Sequence, residues 1–102
     1  LVANDFQTAL QQCDVILAPT APTTAPKLDT LNHDPVQAYL SDIYTIAVNL
    51  AGLPALTLPA GFGADGLPIG VQLIGTYFSE AKILGVANQM QLNSDWHTKL
   101  PF

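Results

Sequence analysis

From Ile43 to Ala64 the chain reads IYTIAVNLAGLPALTLPAGFGA, and no residue in it carries a formal charge. Its length alone would allow a membrane helix, which needs roughly 20 apolar residues. Its content opposes that use. Pro54 and Pro59 lie inside it, with Gly52, Gly61 and Gly63 nearby and Thr45, Asn49 and Thr57 as polar groups. A lipid-exposed helix interrupted in this way leaves backbone groups unpaired. The run is therefore read as protein interior, and no membrane partner is expected.

The composition sharpens this reading. Charged residues make up 11% of the 102 positions and hydrophobic residues 49%, against about 25% charged in typical soluble domains. A small domain has proportionally more surface and should carry more charge. Such a chain is expected to have much of its surface covered by other protein. It opens without a Met, directly into a helical pattern, and is read as a piece of something longer. No basic segment precedes an apolar stretch, so the opening does not read as a signal peptide.

The net charge is −5 and the only cations besides histidine are Lys27, Lys82 and Lys99. Without arginine the chain lacks the bidentate clamp for phosphates and carboxylates. The acidic balance argues against a nucleic-acid footprint. Cys13 is the single cysteine, so no internal disulfide can form. Its place on an apolar stripe predicts a buried thiol.

Periodicity gives the elements. Val2, Phe6, Ala9, Leu10 and Cys13 recur at helical steps. Val15 to Ala18 is a short apolar run suited to a strand covered on both faces. A Pro/Thr-rich connection follows over 19–34, read first as a stiff surface crossing and second as a functional loop. Asp34 and Pro35 open the next helix as cap and first residue. Val36, Tyr39, Leu40, Ile43, Ala47 and Leu50 share its face. A break near Asp42, with Thr45 capping a second helix, is left open. Gly52 suits a left-handed helix end. Strands over 55–61 and 67–75 form a hairpin around the Asp65-Gly66 turn. A last helix is capped by Ser79, buries Ile83, Val86, Ala87 and Met90, has Phe78 packed back on Ile83, and ends near Asn93. Trp96 anchors the tail.

Several motifs reduce to structure. Gly61, Gly63 and Gly66 match G-x-G-x-x-G, but a strand-like segment follows where a dinucleotide site needs a helix. His33 and His97 have no second ligand at metal spacing. Ser41, Ser79 and Ser94 lack a nucleophile-elbow context. Asp42 is the one candidate site residue. In a continuous helix it is a solvated flank. If the helix breaks, its carboxylate can enter a cleft and hold a cation.

The stretch DPVQAYLSDIYTIAVNLAGLPALTLPAGF, followed by GLPIGVQLIG and preceded by DVILAPTAPTTA, resembles the C-terminal part of the amidase signature family. Within that family it is similar to the A subunits of glutamine-dependent tRNA amidotransferases. The resemblance implies an α/β/α fold around a mixed sheet, with residues 1–102 as the C-terminal segment of a single amidase domain. It implies a glutaminase whose catalytic serines and lysine lie upstream, so the segment alone should be inactive. It implies ammonia transfer to a partner subunit that uses ATP and Mg, with subunits B and C and, through the complex, tRNA as partners, in the cytoplasm. No cofactor is expected in this segment itself. Asp42 matches the aspartate that binds the α-amino group of glutamine. The alternatives are a segment of a stand-alone amidase and a non-enzymatic partner-binding domain.

Overall fold

The computed structural model describes residues 2–25, 27, 35–40 and 42–100, with residues 37 and 38 by their backbone only. In chain order they form α1 (Val2–Leu10), β1 (Ile16–Pro19), α2 (Pro35–Leu40), α3 (Ile43–Ala51), β2 (Ala55–Phe62), β3 (Pro68–Ile74) and α4 (Glu80–Leu92). A short 3-10 turn, Trp96–Thr98, follows.

The strands run in the order β1-β3-β2, and both pairings are antiparallel. Leu56, Leu58, Val71 and Leu73 point to one face, where Ile83, Val86, Ala87 and Met90 of α4 cover them. Ile16 and Ile74 point to the other face, against Ala3, Phe6 and Leu10 of α1 and Val48, Ala51 and Leu53 of and after α3. Helices thus cover both faces of the sheet, the α/β/α layering expected from the sequence. Within the described residues the sheet is antiparallel rather than mixed.

Local chemistry explains the element ends. Gly52 adopts a left-handed φ of 71°. Its N–H donates to Asn49 O and that of Leu53 to Val48 O. That pair of bonds is the Schellman closure of a helix, and Val48 and Leu53 meet in one cluster as such closures favour. In the hairpin, Gly66 takes φ 81°, and Asp65 Oδ1 accepts from Leu67 N–H at 3.1 Å. Positive φ here suits glycine because it lacks a Cβ. Asn93 ends α4, its N–H donating to Gln89 O and Met90 O. Trp96 does anchor the tail: its ring meets Phe62 edge-on at 6.0 Å, and Lys99 Nζ lies 5.0 Å from its centroid.

Five expectations fail, each for a physical reason. Cys13 is exposed, because α1 ends at Leu10 and tightens through a Gln12 N–H to Ala9 O bond. The half-buried side of α1 is Ala3, Phe6 and Leu10, packed against the cluster that Val48 and Ala51 of α3 share. β1 is an edge strand among the described residues, so Leu17 is 60% exposed instead of covered on both faces. The helix does break at Asp42, which divides the expected stripe between two separate helices. Val36, Tyr39, Ile43 and Leu50 are exposed, and α3 buries Val48 and Ala51 instead. Phe78 does not staple onto Ile83. It is 94% exposed at φ 61°, the third residue of a turn closed by Ser79 N–H to Thr76 O. Type II turns require positive φ at that position, and it carries the ring outward. The Ser79 hydroxyl donates to Thr76 O at 2.7 Å and does not cap α4. The expected Asp34 cap lies outside the described residues.

Candidate functional site

Asp42 occupies the N-cap position of α3, immediately after the break from α2. The second helix therefore starts earlier than a Thr45 cap would place it. The Asp42 carbonyl, not its carboxylate, closes the first turn: it accepts from Thr45 N–H, Ile46 N–H and Thr45 Oγ1, all at 3.1 Å. Its side chain makes no capping hydrogen bond and is exposed. An N-cap aspartate commonly spends its carboxylate on the helix N–H groups. Here those oxygens are not committed to the helix. Chemically, such a carboxylate can accept charged hydrogen bonds from an ammonium group.

The start of α3 is tied to the sheet by a residue that strand alternation treats as an ordinary polar position. Gln72, in the central strand β3, is 3% exposed. Its Nε2 donates to Tyr44 O at 2.8 Å and to Pro19 O at 3.1 Å. The signal was available: the α/β/α layering that the family resemblance implies leaves no solvent face for a mid-strand glutamine. At the other end of α3, Tyr77 Oη donates to Ala51 O at 3.0 Å.

Beyond Pro19 the connection runs beside the hairpin. A cavity of about 580 Å³ opens between residues 19–25 and Pro68, Ile69 and Gly70. Thr20 Oγ1 is buried there without a hydrogen-bond partner among the described residues. Thr24 Oγ1 donates to Asp65 Oδ2 at 2.6 Å, fastening the connection to the hairpin loop. That bond first, and the Leu67 N–H second, hold the Asp65 carboxyl below its ordinary value of 3.8. The fold thus favours the ionised form, so the fastening is present above 3.8 and lost as pH falls through the lowered value. A carboxyl-detected NMR titration should place Asp65 below 3.8 and move it back up in Thr24→Val. No downward shift in the unaltered protein contradicts the bond.

The other polar candidates stay structural. Ser79 and Ser94 hydroxyls donate to backbone carbonyls, and His97 lies in the exposed 3-10 turn. The described residues contain no group of three or more His, Cys, Asp or Glu able to hold a metal ion. The hairpin at Gly61, Gly63 and Gly66 joins two strands, with no helix to receive a phosphate. His33 and Ser41 lie outside the described residues.

Similarity to known proteins decides the family. The family model described as Amidase matches residues 1–84, a span that includes Asp42, Gln72 and the whole hairpin. The chain belongs to the amidase family. A relative from Neisseria meningitidis serogroup A, named as the A subunit of glutamyl-tRNA(Gln) amidotransferase, is 75% identical over 101 residues, covering 99% of this chain and 21% of the relative. The crystal structure of the protein of the same name from Thermotoga maritima aligns with a TM-score of 0.84 at 44% identity, over 91% of this chain and 20% of that one. A 6-aminohexanoate cyclic dimer hydrolase aligns with a TM-score of 0.86 at 26% identity, over 97% of this chain and 23% of that one. The amidase chain thus spans about a fifth of the length of the relatives it matches. No helix among its described residues is long and apolar enough to cross a membrane.

Proposed function

We propose that this amidase segment belongs to the glutamine-hydrolysing subunit of a tRNA-dependent amidotransferase and supplies one wall of its glutamine pocket. The observation that carries this reading is the 75% identity, across 99% of the chain, to a protein named as the A subunit of glutamyl-tRNA(Gln) amidotransferase. In the full-length protein a serine attacks the side-chain amide of glutamine, and ammonia leaves for the partner subunit. That serine, its second serine and its lysine come from outside this segment, which alone is inactive. The role of this segment is binding: Asp42 holds the substrate ammonium and so helps to place the amide for attack. Subunits B and C, the ATP and Mg used by the partner, and tRNA through the complex complete the assembly, in the cytoplasm.

The surface supports a larger pocket. Val36, Tyr39, Ile43 and Leu50 are exposed apolar groups on α2 and α3, the two helices that meet at Asp42. Exposed apolar side chains gathered on two successive helices fit a surface that other protein covers. Here the cover is the rest of the same amidase domain. The alignment with 6-aminohexanoate cyclic dimer hydrolase favours one rival, a stand-alone amidase. Amidation assays separate them. Glutamine-supported amidation of Glu- or Asp-tRNA should require the full-length protein, while an ammonium salt should replace it. Unaltered glutamine-supported amidation in its absence would refute the assignment.

A further inference from the structure

Gln72 is a buried polar residue on the central strand, paired with Ala18 of β1 on one side and Thr57 of β2 on the other. Packing does not ask for an amide there. A buried amide that is not fully hydrogen-bonded is unfavourable, and an apolar side chain would fill the same space between sheet and helix. What the amide adds is direction. Both of its long-range bonds start from Nε2, and they end on two backbone carbonyls from different parts of the chain. One carbonyl, Tyr44 O, lies in the first turn of α3, two residues after Asp42. The other, Pro19 O, lies where β1 passes into the wall of the 580 Å³ cavity.

The mechanical consequence concerns the end of α3. The fully buried residues of α3, Val48 and Ala51, lie in its second half, so apolar packing holds its first turn less firmly than its last. Asp42 sits at that less firmly held end. The Gln72 bond clamps it to the most constrained strand of the sheet, while the Tyr77 hydroxyl holds the opposite end at Ala51 O. We infer that Gln72 is a positioning residue for substrate binding: it fixes the first turn of α3, and through it the uncapped Asp42 carboxylate, at the place where the substrate ammonium binds. The inference rests on the reading of Asp42 as the ammonium ligand and assigns the device that aims it.

The test uses the full-length protein and two amides: glutamine, and 4-carbamoylbutanoate, which is glutamine without the α-amino group. In Gln72→Met the KM for glutamine should rise about tenfold, equivalent to about 1.4 kcal/mol, with kcat held within about twofold. For 4-carbamoylbutanoate kcat/KM should stay within about twofold, since no ammonium is present to be aimed at. In an Asp42→Ala background, Gln72→Met should change glutamine KM no further, as expected for two residues acting through one contact. If Gln72→Met does not fold, Gln72→Asn serves: it keeps the amide but withdraws it by one carbon, and should shift glutamine KM in the same direction. Equal losses with both amides, or an unchanged glutamine KM in a folded variant, overturn the inference. If Asp42→Ala itself leaves glutamine KM unchanged, the underlying reading fails. If Asp42→Ala raises it and the Gln72 variants do not, only the positioning role fails.

Discussion

Asp42→Ala in the full-length protein should raise the KM for glutamine by roughly 10- to 150-fold, because a charge-assisted hydrogen bond contributes about 1.5–3 kcal/mol and 1.4 kcal/mol is a decade. The structure argues against a folding effect. The carboxylate makes no cap bond to α3, and the helix is closed by the Asp42 carbonyl, which alanine retains. Removing the side chain therefore takes no hydrogen bond from the first turn. Stability should change by less than about 0.5 kcal/mol, as for surface positions without structural partners. The variant protein should be folded, and its loss should appear when glutamine is limiting. Steady-state glutaminase kinetics with a thermal melt on the same preparation read both quantities. A folded variant with unchanged KM contradicts the assignment.

The second large effect is on the core. Leu73→Ala should lower the stability of the full-length protein by about 2–5 kcal/mol, the range for deleting a fully buried leucine. Leu73 is 1% exposed, on the central strand, in the cluster that joins Leu58 to Ile83 and Ala87. The cluster spans β2, β3 and α4, and a void at the central strand is bounded by β2 on one side and α4 above. Little collapse is available to relieve it. A denaturant midpoint equal to that of the unaltered protein would show that α4 does not pack on the sheet in this way.

Much of this fold is legible in the sequence because it depends on local chemistry. Gly52 followed by Pro54 marks a helix end whatever lies around it, and the left-handed closure is there. Asp65-Gly66 between alternating segments marks a hairpin, and the two strands pair across it. The Ile83, Val86, Ala87 and Met90 stripe needs only the helical period, and it faces the sheet. The failures share a different origin. Periodicity says which residues lie on one face, not what covers that face. Val36, Tyr39, Ile43 and Leu50 have the period of a buried stripe, yet the helix breaks beneath it and the described residues leave them exposed. Phe78 has the spacing of a staple, yet the turn before α4 requires a left-handed residue there.

The candidate site is half legible. Asp42 can be named as a candidate from its place in the sequence and from the family resemblance, but that its carboxylate makes no cap bond at the break after α2 is seen only in the fold. Gln72 cannot be weighted correctly by strand alternation alone. Alternation assumes one wet face, and this sheet has a helix layer on each side. A polar residue at the centre of such a sheet must find partners inside, and it finds them at the two segments that flank the site.

The most direct measurement is a crystal structure of the full-length protein with glutamine bound. An Asp42 carboxylate oxygen should lie about 2.7–2.9 Å from the substrate ammonium nitrogen, as charged N–H···O bonds require, with α3 still tied to Gln72. A glutamine whose ammonium is held by other groups, with Asp42 turned to bulk water, would contradict it.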